Sequence, residues 1–132
     1  MILVDSNVLI DVMKNDPVWA DWSLQQLRWA KANDKLAINA IIYAELAVAY
    51  GTAAELDAVL KPVGIEMAAL SPPAAFLSSQ AFLRYRKAKG IKTGVLPDFF
   101  IGAQAQVEGW RLLTRDAARY RSYFPSVRLI CP

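Results

Sequence analysis

Short apolar runs alternate with longer segments of mixed polarity along the whole chain. Ile2 to Val4 is a β-rich run that stops at Asp5, with Ser6 or Asn7 as candidate caps for the next element. Asp16-Pro17 opens a helix that carries Trp19, Trp22, Leu27 and Trp29 to about Asn33. Lys35 to Ile38 reads as a second strand, and Asn39 caps a helix that Gly51 can end. Thr52 with Glu55 fits a capping box for a further short helix, stopped near Pro62-Val63-Gly64. Ile65 to Leu70 has the pattern of a third strand, although Glu66 and the Ala68-Ala69 pair weaken it. Ser71-Pro72-Pro73 opens a long helix to Gly90, and Ile91 to Leu96 reads as a loop. Pro97-Asp98 starts another helix, stopped by Gly109. Trp110 to Thr114 is a fourth strand, Asp116 to about Tyr123 a short helix, and Val127 to Ile130 a last strand. Such alternation predicts parallel strands joined by crossover helices. The expected fold is therefore α/β, a three-layer α/β/α sandwich around a central, mainly parallel sheet, with residues 1–132 as one domain.

Composition narrows the chemistry. The 132 residues are 55% hydrophobic and 20% charged, enough apolar material for a core. A single cysteine, Cys131, excludes a disulfide framework within the chain and a thiolate zinc knuckle. There is no histidine, so imidazole bases, imidazole metal ligands and the Ser-His-Asp and Cys-His arrangements are all excluded. Carboxylates, a metal or a lysine must carry any catalysis. The net charge of +3 is too small by itself to indicate a nucleic-acid partner. The N-terminal residues Met1 to Asp5 do not resemble a signal peptide. Glu45 and the Ser71-Pro72-Pro73 turn interrupt the two most apolar stretches, so no membrane span is expected and a cytoplasmic location is.

Ligands of open parallel sheets bind outside the carboxyl ends of the strands, and four acids fall at or near that edge. Asp5 ends the first strand, and Asp116 comes two residues after Thr114 of the fourth. Asp98 sits in the first turn of the helix before that strand, and Glu45 lies about two turns into the helix after the second. Glu45 is the only charge between Lys35 and Glu55, inside a helix expected to have little exposed face; a buried carboxylate there needs compensation. Each acid also has a plainer reading. Glu45 would be a solvated residue on a half-exposed helix, Asp98 a partner of its helix dipole, and Asp5 and Asp116 simple caps. Four separate elements aiming acids at one edge is the stronger pattern.

These segments resemble the PIN-domain family, and the VapC toxins within it. Val4-Asp5-Ser6-Asn7-Val8-Leu9-Ile10-Asp11 is similar to the opening motif, and Tyr43-Ala44-Glu45-Leu46 to the central glutamate motif. Pro97-Asp98-Phe99-Phe100-Ile101-Gly102-Ala103-Gln104-Ala105 is similar to the third motif. Leu112-Leu113-Thr114-Arg115-Asp116-Ala117-Ala118-Arg119-Tyr120, with Phe124-Pro125 behind it, is similar to the last. The resemblance implies a magnesium- or manganese-dependent endoribonuclease, dimeric and held inactive by a cognate antitoxin. It makes Asp5, Glu45, Asp98 and Asp116 the acidic quartet, and Asn7 and Thr114 supporting residues. Ser6 stands where threonine is commoner and keeps the hydroxyl.

The implied chemistry agrees with the composition. Hard divalent ions prefer oxygen ligands, and clustered carboxylates repel one another until a cation joins them. On this reading Asp5, Asp98 and Asp116 contact the metal, and Glu45 binds it or orients the attacking water. Asn7 and Thr114 hold the acids, with a helix cap and a strand-end hydroxyl as their plainer readings. Setting the four acids aside leaves eight acids against fifteen bases. Arg84, Arg86, Lys87, Lys89 and Lys92, with Arg115 and Arg119, are candidate contacts to RNA phosphates, or else a solvated face. Trp19, Trp22, Trp29, Phe76, Phe82 and Tyr85 are expected in core or subunit packing rather than as base-stacking platforms. Two other functions compete: an aspartyl-phosphate phosphatase or phosphotransferase using Asp5, and a non-catalytic toxin–antitoxin binding module. A DNA or flap nuclease on the same fold would need more acids and extra helices.

Overall fold

The computed structural model describes residues 1–88, 90–92 and 94–132. Five strands are all parallel: β1 (Ile2–Val4), β2 (Leu36–Ile38), β3 (Ile65–Met67), β4 (Arg111–Leu113) and β5 (Leu129–Ile130), in the order β3-β2-β1-β4-β5. The chain builds outward from β1 through β2 to β3, then crosses to β4 and β5 on the other side. β1 is thus the switch point, where open parallel sheets form their binding crevice. The strands are short because only their apolar triplets can be buried on both faces. Ile2, Leu3, Val4, Leu36, Ala37, Ile38, Leu112 and Leu113 are almost completely enclosed. β3 is an edge strand, which explains its mixed composition: Glu66 and Met67 lie exposed.

Among the described residues seven helices cover the sheet: α1 (Ser6–Met13), α2 (Ala20–Asn33), α3 (Ala40–Ala47), α4 (Ala53–Val63), α5 (Pro72–Lys87), α6 (Leu96–Glu108) and α7 (Ala118–Tyr123). Right-handed crossovers put α1 to α4 on one face and α5 to α7 on the other. α1 accordingly packs on α2 and α3, and α6 on α5 and α7. α3 also meets α6, which draws two of the acidic motifs together.

Most boundaries agree with the expected signals. Asn39, Thr52 and Ser71 each accept the backbone N–H three residues on and cap α3, α4 and α5. Gly64 and Gly109 adopt left-handed conformations that end α4 and α6. Three expectations are corrected. The Asp16 carboxylate does cap a turn, accepting from Val18 and Trp19, but α2 proper begins only at Ala20. β3 stops at Met67 rather than running on to Leu70. Ser6 and Asn7 do not cap α1; they lie inside it, and Asp5 takes the cap position. Phe82, Tyr85, Phe99, Tyr123 and Phe124 form one aromatic cluster joining α5, α6 and α7, while Trp19 packs edge-on against Trp22. Trp29 and Phe76 remain exposed.

Candidate active site

Val4 pairs in register with Leu113, and the Asp5 N–H continues the ladder to the Leu113 carbonyl at 2.9 Å. The next residues of the two strands, Asp5 and Thr114, therefore emerge side by side. Asp5 stands at the cap position of α1, yet its side chain caps nothing. Its Oδ2 instead accepts from Thr114 Oγ1 at 2.9 Å, from the Tyr120 hydroxyl at 2.9 Å and from Asn7 Nδ2 at 3.4 Å. Among the described residues Oδ1 has no hydrogen-bond partner, and it is not among the fully buried unpaired atoms, so it keeps some contact with solvent. Three donors thus fix one oxygen and leave the other free.

Asn7 and Thr114 also bind each other and the backbone carrying the fourth acid. Asn7 Nδ2 donates to Thr114 Oγ1 at 3.2 Å, and Asn7 Oδ1 accepts the Arg115 N–H at 3.3 Å. The Asp116 N–H donates to Thr114 Oγ1 at 3.1 Å. Both side chains thus bond Asp5 and the backbone of the loop that carries Asp116. Asp116 itself is exposed at the rim.

Glu45 and Asp98 arrive on α3 and α6. Asn39 caps α3 with Oδ1 and donates through Nδ2 to Gln104 Oε1 at 2.8 Å, while Gln104 Nε2 donates to the Ala69 carbonyl at 3.1 Å. This buried amide pair ties the start of α3 to the middle of α6. Glu45 Oε1 accepts from Ser6 Oγ at 3.0 Å, which joins α3 to the residue after Asp5. α3 is less enclosed than its apolar sequence implies: Ile42 and Leu46 are buried, but Val48 is 88% exposed. Its open side forms a groove of about 430 Å³ with Ile10, Met13 and Lys14 that reaches Glu45.

Electrostatics couple the acids. Burial is the main cause that pushes the Asp5 carboxyl up to about 6; the Thr114 and Tyr120 hydrogen bonds pull it back, and Asp98 and Glu45 repel its charge. Burial also raises Glu45, against the Ser6 hydrogen bond and with Asp98 adding to the rise. Asp98 is raised by burial and by Asp116, and held down by Arg119. Of these three acids, only Asp98 is relieved by a base, Arg119.

The donor set is oxygen only, which fits magnesium or manganese and not a softer metal. Among the described residues no three acids stand close enough to hold one ion together. Asp98 Oδ2 is engaged by Arg119 Nη1 at 2.7 Å, so that carboxylate is occupied by an internal cation. The residues fit a divalent ion by donor type and by their mutual repulsion, although the described carboxylates are not gathered around one point.

The candidate RNA contacts divide into groups. Arg84, Arg86, Lys87 and Lys92 are exposed, and Lys89 lies outside the described residues. Arg115 and Arg119 are not free bases: Arg115 grips Asp11, and Arg119 grips Asp98. Sequence alone does not single out Tyr120 or Asp11. Asp11 does carry a readable signal, since it is a lone acid one helical turn after Asn7 in an apolar stretch. The Tyr120 contact depends on how α7 docks, which no local pattern encodes.

A PIN-domain family model matches residues 2–124. The fold is similar to a chain of VapBC2 from Rickettsia felis bound to a DNA fragment from its promoter, at TM-score 0.75 and 20% identity, covering 100% of this chain and 99% of that one. It is also similar to a chain of a toxin–antitoxin complex from Klebsiella pneumoniae, at TM-score 0.71 and 23% identity over 96% and 95% of the two chains. A chain of DNA-bound VapBC from Salmonella typhimurium gives TM-score 0.71 and 18% identity over 98% and 96%. No curated protein matches in sequence.

Proposed function

This chain belongs to the PIN-domain family, and we propose that it is a VapC-type toxin, a magnesium- or manganese-dependent endoribonuclease restrained by a cognate antitoxin. The observation that carries this reading is Asp5. It is a buried carboxylate at the switch point, with one oxygen fixed by three donors, the other open, and two further acids repelling its charge.

When bound, the divalent ion supplies Lewis-acid polarisation of the phosphodiester and an activated water. The chain's residues do the rest. Asp5 offers Oδ1 as a pre-aimed ligand, with Asn7, Thr114 and Tyr120 denying it other orientations. Asp98 and Asp116 offer further ligand oxygens from α6 and the loop after β4. Glu45 keeps one oxygen on Ser6, and its raised proton affinity suits it to orient the attacking water and accept its proton. The exposed Arg84, Arg86, Lys87 and Lys92, with Lys89, attract RNA that the acids alone would repel. An antitoxin segment covers the groove beside Glu45, where Val48, Ile10 and Met13 await an apolar partner. Exposed Phe76 and Leu83 on α5 belong to a homodimer interface.

The acids form a hydrolytic site rather than an aspartyl-phosphate site. Asp5's partners among the described residues are an amide, a hydroxyl and a phenol, without the lysine such a phosphoenzyme requires. The test is incubation of purified protein with RNA in magnesium or manganese, with and without chelator, beside Asp5→Asn and Asp98→Asn. Internal cuts that need the ion and vanish in both variants are expected. Cleavage in chelator, or full activity in either variant, refutes the reading.

A further inference from the structure

Among the described basic residues, only Arg119 forms an ion pair with a member of the acidic quartet. Its Nη1 lies 2.7 Å from Asp98 Oδ2, with the two side chains 24% and 31% exposed. Its guanidinium carbon stands 5.8 Å from the centre of the Tyr85 ring. Tyr85 is anchored by contacts with Phe82, Phe99 and Tyr123. The guanidinium therefore rests on two supports, an anionic one inside the crevice and an aromatic face beside it. The neighbouring arginine has no such latitude, because Arg115 is held by two nitrogens on enclosed Asp11.

Resting on the metal-nuclease reading above, we infer that Arg119 is a built-in counter-ion of the acidic site, which holds Asp98 while no divalent cation is bound and yields it when one arrives. Arg119 and the cation compete for one carboxylate. A guanidinium displaced from Asp98 keeps the Tyr85 face as a pivot beside the crevice, where the phosphate of an RNA strand would next receive it. The same side chain thus opposes cation loading in the absence of RNA and favours RNA once the cation is in place. This exchange keeps the repelling acids from standing uncompensated in the unloaded chain.

The test uses the full chain without RNA and measures manganese binding by calorimetry in wild type, Arg119→Gln and Arg119→Lys. Arg119→Gln is expected to bind manganese about fivefold more tightly, the release of one partly buried ion pair, while Arg119→Lys stays near wild type. The KM for RNA in saturating magnesium should rise in Arg119→Gln. A second measurement needs no variant: in a magnesium titration of wild type, the Arg119 side-chain nitrogen resonances should shift with the midpoint of ion binding. Manganese affinity that is unchanged or weaker in Arg119→Gln overturns the inference, as does an Arg119 signal indifferent to saturating magnesium. If wild type binds no divalent ion at all, the nuclease reading itself has failed, and this inference falls with it.

Discussion

Arg115 holds Asp11 in a two-pronged pair, Nε to Oδ2 at 2.8 Å and Nη2 to Oδ1 at 3.0 Å, and so fastens the loop after β4 to α1. Ser23 Oγ adds a bond to Asp11 Oδ2 at 2.8 Å, and the guanidinium lies over Trp19. Asp11 is about 1% exposed, whereas the Arg115 side chain is 31% exposed. That asymmetry sets the order of damage. Arg115→Met strands a buried carboxylate and should cost about 3 kcal/mol. Asp11→Asn leaves an arginine that water can still reach, so it should cost less. Urea unfolding of the two variants checks the order. Because Arg115 separates Thr114 from Asp116, Arg115→Met should also lower kcat for RNA cleavage.

Tyr120→Phe removes one of the donors on Asp5 Oδ2. That bond lowers the Asp5 carboxyl, so its loss lets the value climb above about 6. The pH at which half the RNA-cleaving activity is lost on acidification should rise by about one unit. A pH–rate profile of wild type and Tyr120→Phe measures it. Tyr120→Phe should also cost about 1 kcal/mol in unfolding.

Asp5 makes stability fall as pH rises. Its folded carboxyl lies near 6, above its ordinary 3.8, so the folded chain binds the proton more tightly than the unfolded one. Its contribution to stability is therefore complete below about pH 4 and is lost between about pH 4 and pH 6, a change of roughly 3 kcal/mol. Asp5→Asn escapes this loss. It should melt higher than wild type near about pH 7.5 and lose that advantage near about pH 4. Magnesium should raise the melting temperature of wild type at the higher pH and leave Asp5→Asn almost unmoved. Thermal melts at the two pH values, with and without magnesium, test both statements.

Gly102 sits where α6 passes the Phe124 ring, and a Cβ built there runs into that ring. Phe124 is rigidly enclosed, so Gly102→Ala should cost about 1–3 kcal/mol by overpacking. Calorimetric melting is the measurement.

The strands and helices were legible because the buried triplets and the capping residues are local signals. Ile2–Val4 reads directly as β1, and Asn39, Thr52 and Ser71 cap where their types predict. The order of the sheet was not legible, since pairing β1 between β2 and β4 is a long-range choice. The acids stood out as lone charges in apolar stretches. Their partners did not: Tyr120 reaches Asp5 from 115 positions away, and Ser6 reaches Glu45 from 39. Arg115 and Arg119 read as phosphate contacts because charge is visible in sequence, whereas their pairing with Asp11 and Asp98 is not.

The central claim is that Asp5, Glu45, Asp98 and Asp116 serve one divalent cation at the carboxyl edge of the sheet. Anomalous scattering from crystals soaked in manganese tests it most directly. The account predicts a manganese peak within ligation distance of Asp5 Oδ1, with Asp98 turned from Arg119 towards the ion and the peak lost in Asp5→Asn. A saturating soak with no peak in the crevice, or a peak that persists unchanged in Asp5→Asn, would contradict it.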